Sequence, residues 1–255
     1  RGRISEEQID NFNTQGYLRF GALLAEDIVL SLRAEYDRLF AEARTADRYR
    51  DLSDDDVEML QIMQMWARSL SFRRLCYHDT ILDVIQDLIG PDIQLFHDQA
   101  LFKPARSGGA IHWHQDNAYG ELDPYTAITV LTALDNADED NGCIWLIPGS
   151  HRRGQAAPQP VEEKAALLPI RLEVDDSQAI PVPMKAGESI CFHCWMLHKS
   201  EGNRSTTRHR RILFLRYADA DACLLYTSPS PRDATLSRIA AGGWKKKRGG
   251  GGGGG

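Results

Sequence analysis

The hydrophobic pattern changes period once along the chain: apolar residues recur at helical spacing before Gly90, and from Ile93 they fall into short alternating runs. Ser5-Glu6-Glu7-Gln8 reads as a capping box, with Ile9 and Phe12 on one helix face and Gly16 as the stop. Tyr17 to Phe20 reads as a brief strand. Ile28, Leu32, Tyr36, Leu39 and Phe40 make a helical stripe across Ala25 to Ala43, and Phe72 to Ile89 predicts two short helices closed by Gly90-Pro91. These helices are expected to pack outside the main core.

Beyond them, six runs read as strands: Ile93 to Lys103, Ile111 to Asp116, Ala127 to Leu134, Cys143 to Ile147, Ser189 to His193 and Arg210 to Tyr217. Helices first and strands after predict an antiparallel sandwich or barrel with the helices on one side. Arg152 to Val182 has little periodicity and reads as a long insert, the usual place for a lid or binding loop. The aspartates of Asp51 to Asp56 lack the glycine and distal glutamate of a calcium loop and read as a solvated turn or helix start.

At 255 residues and 42% hydrophobic the chain can bury one sizeable core, and residues 1–222 read as one domain. The remainder changes the picture. Cys223 to Asp233 matches the translation of a sequencing-library adaptor, and the chain ends in a glycine run. Residues 223–255 are therefore expected to be a non-native, disordered tail. That tail holds six of the 30 basic residues and one of the 36 acidic ones, leaving 24 and 35 and a formal charge of −11 in the body. An acidic body offers no electrostatic footprint for nucleic acid. No apolar run reaches the ~18 residues of a membrane span, and five cysteines in a chain this long fit a reducing compartment, the cytoplasm.

The chemistry concentrates at Ile111-His112-Trp113-His114-Gln115-Asp116-Asn117. On a strand, His112, His114 and Asp116 would share a face. His114 and Asp116 could supply two ligands of a metal site, with His198 the best third. Two histidines and a carboxylate are the donor set of non-haem Fe(II) oxygenases. Arg208, Arg210 and Arg211 lead into the last strand, so a guanidinium fork can reach the same mouth and take a carboxylate.

Together with Leu101-Phe102-Lys103-Pro104, Asn141-Gly142-Cys143, Ile147-Pro148-Gly149-Ser150-His151 and His198-x-Ser200-x-x-Asn203-x-Ser205, these residues resemble the phytanoyl-CoA dioxygenase family of Fe(II)- and 2-oxoglutarate-dependent oxygenases. The resemblance covers about Ser5 to Tyr217. It implies a mainly β fold, α+β by content, with a double-stranded β-helix (jelly roll, cupin-like) core and N-terminal flanking helices. It implies iron on His114, Asp116 and His198, and hydroxylation of a small organic substrate with O2, 2-oxoglutarate leaving as succinate and CO2. The family's arginine spacing falls here on His209, one residue early. Arg210, which precedes the apolar Ile212, is the expected partner of 2-oxoglutarate, with Arg208 and Arg211 as alternatives and Ser200 as a further donor. Lys103 and Asn117 are candidates to touch cosubstrate or substrate.

Plainer readings stand beside these. His112 is expected to be packed or to support a ligand rather than to bind metal itself. His97, His151, His193 and His209 read as structural, and Cys191-x-x-Cys194 as two buried thiols without a second pair to complete a zinc site. A cupin-like isomerase or hydrolase would use the same three ligands without 2-oxoglutarate, and a non-catalytic binding protein would keep only the fold.

Overall fold

The computed structural model describes residues 4–46, 50–51, 60–106, 108–119, 121–156, 159–160, 170–172 and 174–225, and those up to Leu224 belong to one unit, Arg1–Leu224. The acidic run after Asp51, much of the insert and the tail from 226 onward lie outside the described residues.

Local signals act as their chemistry dictates. Ser5 caps the helix Glu6–Gln15: its hydroxyl accepts from Gln8 N at 3.2 Å while Gln8 Oε1 accepts from Ser5 N at 2.9 Å. Gly16 ends it at φ +82, where a Cβ would run into His151 Nδ1, so both conformation and space demand glycine. The stripe forms Glu26–Ala46, and the two short helices are Leu70–Cys76 and Asp79–Ile89.

Two antiparallel sheets face each other. The larger runs in the order Tyr17–Ala22, Glu188–His193, Ile128–Ala133, Arg210–Asp219, Ile93–Lys103, Leu60–Met63, Arg50–Asp51; the smaller runs Ile180–Val182, Ile144–Leu146, His198–Ser200, Ile111–His114. Each smaller-sheet pairing is antiparallel, and so are those of the larger sheet. This is the double-stranded β-helix that the resemblance implied. One cluster, with Leu101, Leu131, Ile144, Leu146, Ile190, Phe192, Ile212 and Phe214, fills the space between the sheets.

The helices correct an expectation. They do not merely pack outside: Tyr36, Leu39, Phe40, Phe72, Ile81 and Ile85 join Ala100, Val130, Leu213 and Leu215 in a second core on the larger sheet's outer face. The cause is in the central strand. All six residues of Ile128–Ala133 are buried, so both faces of that sheet must be covered. Consequently Arg210–Asp219 alternates between two interiors: Leu213 and Leu215 face the helices, while Ile212 and Phe214 face the second sheet.

Candidate metal centre

His114 is the last residue of Ile111–His114 and His198 the first of His198–Ser200, and the two stand directly opposite each other in the register. Each imidazole places Nδ1 on a nearby carbonyl, His112 O at 2.8 Å for His114 and Met196 O at 2.9 Å for His198. A carbonyl accepts only, so Nδ1 carries the proton and Nε2 presents its lone pair inward, as a metal ligand must. Phe192 closes one side, its ring 4.8 Å from that of His198. Burial, then the neighbouring His198, pulls His114 down to about 3, which keeps it neutral.

Asp116 arrives by a different route from the one its spacing suggested. The strand stops at His114, and Asp116 opens a 3-10 turn, Asp116–Tyr119; the turn, not strand alternation, brings it inward. Its Oδ1 lies 3.9 Å from His114 Nε2 and 3.5 Å from His198 Nε2. Thr129 donates its hydroxyl to Oδ2, and Arg216 donates from Nη2 to Oδ1. Burial alone would raise this carboxyl, but Arg216, then His198 and His114, outweigh it and hold it far below the ordinary range. The three ligand atoms lie within 4.8 Å of one another. Nitrogen and oxygen ligands bind a divalent metal at about 2.0–2.2 Å, so a small contraction of this set suffices. The His112 imidazole is exposed rather than packed, and the residue supports the site only through the carbonyl that holds His114.

The three candidate arginines separate cleanly. Arg208 forks onto Asp138 and reaches Asp140 at 3.0 Å, and Arg211 holds Asp37 at 2.8 Å and Asp135 at 2.9 Å. Arg210 points between the sheets at 1% exposure, with Nε and Nη1 buried and without a hydrogen-bond partner among the described residues. Burial lowers it to about 10, so it stays charged at neutral pH. Lys103, opposite Arg210 in the register, donates to Ser200 Oγ at 2.7 Å and Glu201 O at 2.6 Å. Gly142 permits this packing: at φ +83, a Cβ there would collide with Glu201 O.

The other histidines and the thiols take up structural places. His209 accepts from Ala105 N at 3.1 Å, His151 binds Asn13 O at 3.1 Å, and His193 accepts from Trp195 N at 3.1 Å. Cys191 and Cys194 are free and buried; burial raises the Cys194 thiol to about 12 and Cys191 higher still. Arg216 and Thr129 had no place in the reading of the sequence. Alternation from Arg210 would have placed Arg216 inside, since 210, 212, 214 and 216 share a face.

A jelly roll whose mouth brings together two histidines and one carboxylate, with a buried guanidinium deeper in, is the arrangement of the Fe(II)- and 2-oxoglutarate-dependent oxygenases. A model of the phytanoyl-CoA dioxygenase family matches residues 12–212, and the chain belongs to that family. A phytanoyl-CoA dioxygenase of Arabidopsis thaliana is 23% identical over 87% of this chain and 91% of its own length. Three further curated relatives are matched over about half of their length. Among solved structures, the α-ketoglutarate-dependent carbocyclase SnoK of nogalamycin biosynthesis superposes with a TM-score of 0.74 at 24% identity, covering 93% of this chain and 92% of that one. The epimerase SnoN, solved with Fe3+, α-ketoglutarate and nogalamycin RO, gives 0.73 at 22% identity over 95% and 93%. The family's cofactors are Fe(II), 2-oxoglutarate and O2.

Proposed function

We propose that His114, Asp116 and His198 hold Fe(II), that Arg210, with Ser200 and Lys103 beside it, takes the distal carboxylate of 2-oxoglutarate, and that the enzyme hydroxylates a small organic substrate. The observation that carries this reading is the buried Arg210 guanidinium, two of whose nitrogens have no partner among the described residues. An isolated buried cation is costly, and a carboxylate arriving from solvent supplies what the fold withholds. A metal protein of the same fold without 2-oxoglutarate would have no use for it.

When bound, iron and the keto acid supply the oxidising chemistry: substrate, 2-oxoglutarate and O2 become hydroxylated substrate, succinate and CO2. The chain's own residues place and protect. His112 O and Met196 O fix the two imidazole tautomers, Thr129 orients Asp116, and Phe192 with Phe214 and Leu131 keeps the wall dry. Ser200 Oγ stands between the metal ligands and Lys103, two residues from His198, so it can donate to a carboxylate reaching from one to the other. Cys76, Cys143, Cys191 and Cys194 are free and buried, which suits a reducing compartment, the cytoplasm in this reading. No helix among the described residues is long and apolar enough to cross a membrane.

The test is an anaerobic titration of the full chain with Fe(II) and 2-oxoglutarate, following the visible charge-transfer band. A saturable band that Asp116→Ala removes and Arg210→Ala shifts to higher 2-oxoglutarate concentration supports the assignment. A folded, iron-binding protein that gives no band refutes it.

A further inference from the structure

Interior side chains of the larger sheet form rows set by its register. Arg216 stands directly opposite His97 on one side and Thr129 on the other. The next rows, Gln99-Phe214-Leu131 and Leu101-Ile212-Ala133, are mainly apolar, and beyond them Lys103 stands opposite Arg210. Two guanidiniums thus face one interior from a single strand, six residues or about 20 Å of strand apart, with the His114-Asp116-His198 set reached from the Arg216 end. The function proposed above uses only Arg210.

Arg216 is built as a half-satisfied cation. Its Nη2 sits 2.5 Å from Asp116 Oδ1, the one carboxylate within ion-pair distance of it among the described residues. Its Nε is buried and has no hydrogen-bond partner among them. Among the described residues, the neighbours named on its far side carry no charge to offset it. His97 Nε2 lies 3.4 Å from Gln99 Oε1, and Gln61 donates to the same oxygen; burial, then Arg216 itself, lowers His97 to about 4, so it is neutral. Asp116 carries one negative charge. Once that charge is shared with a dication, Arg216 keeps only part of its counter-charge, and its Nε has no acceptor among the described residues. A group meant only to orient Asp116 needs no such excess, because Thr129 already holds Oδ2.

We propose that Arg216 is a specificity-determining residue that anchors an anionic group, a carboxylate, on the primary substrate. The neutral His97-Gln99-Gln61 chain lines the wall beside it as hydrogen-bonding surface. The substrate class is then a small organic acid whose anionic end sits at Arg216 and whose reacting carbon faces the His114-Asp116-His198 set, away from Arg210. This inference rests on the function proposed above.

The experiment uses the full chain loaded with Mn(II) and saturated with 2-oxoglutarate, and reads paramagnetic relaxation of the methyl protons of acetate and of the neutral acetamide. Saturation fills the Arg210 end, so the probes report the remaining space. A charge-assisted hydrogen bond favours the acid by about tenfold or more. The expected result is that preference in the parent, its loss in Arg216→Gln and partial recovery in Arg216→Lys. Equal binding of acid and amide in the parent overturns the proposal. So does an acid preference that survives Arg216→Gln, since it would mean the anion binds the metal directly. The two readings fail differently. Absence of the Fe(II) and 2-oxoglutarate band removes the function and this inference with it, whereas a normal band without acid preference removes this inference alone.

Discussion

Replacing Arg210 with methionine should move two quantities in opposite directions. The side chain is 1% exposed, and neither Nε nor Nη1 finds a partner among the described residues. Burial pulls its ionisation from 12.5 to about 10, which corresponds to a cost of about 3 kcal/mol for keeping the charge. Methionine is apolar and flexible enough to fill the same space beside Ile212, so the cosubstrate-free protein should gain stability. At about 2–4 °C per kcal/mol for a chain of this size, and with part of the gain offset by imperfect packing, the melting temperature should rise by a few degrees. Affinity for 2-oxoglutarate should fall. A charged hydrogen bond is worth about 1.5–3 kcal/mol, so its dissociation constant should rise roughly 10- to 150-fold. Differential scanning calorimetry of Mn(II)-loaded parent and variant, with and without 2-oxoglutarate, reads both effects. The parent should be stabilised by the ligand, and Arg210→Met should start higher and respond little. A variant that melts lower than the parent, or keeps the full ligand shift, would refute the argument that Arg210 is a buried charge waiting for a carboxylate.

Phe192→Ala removes an aromatic ring that is fully buried between the sheets and lies 4.8 Å from His198; denaturant unfolding should show a loss of about 3–5 kcal/mol, and a loss below about 1 kcal/mol would mean the wall collapses around the gap. Acidification should weaken the metal-free protein. His97 and His193 are held down to about 4 and His114 to about 3, each chiefly by burial, so below the ordinary value of 6.5 the unfolded chain takes up protons that the folded chain refuses. The histidines' contribution is then flat above about pH 6.5 and falls between 6.5 and 4 by up to about 1.4 kcal/mol per pH unit for each; unfolding curves at pH 6.5, 5.5 and 4.5 that coincide would contradict this. Ser5→Ala, which leaves Gln8 N without its acceptor, should cost about 1 kcal/mol by the same measurement.

Much of the architecture could be read along the chain because it rests on local rules. The capping box at Ser5, the stop at Gly16 and the strands Ile93–Lys103 and Arg210–Asp219 follow from side-chain chemistry and period alone. Leu60–Met63, Ile180–Val182 and His198–Ser200 escaped notice, since three or four residues are too few to display alternation. The residue types of the candidate metal centre, His114, Asp116 and His198, were legible, yet the reason Asp116 points inward was not: the strand ends two residues before it.

Spacing and composition could propose that one of three neighbouring arginines faces the interior, and alternation favours Arg210 or its even-numbered companions. What each guanidinium meets is set by strands far away in the chain. Asp138 and Asp140 take Arg208, Asp37 and Asp135 take Arg211, nothing described takes Arg210, and Asp116 takes half of Arg216. A strand's own sequence specifies which side chains share a face, because that period is a property of the backbone. Whether a charge on that face is satisfied depends on the register of strands about a hundred residues apart, and no local rule carries that information.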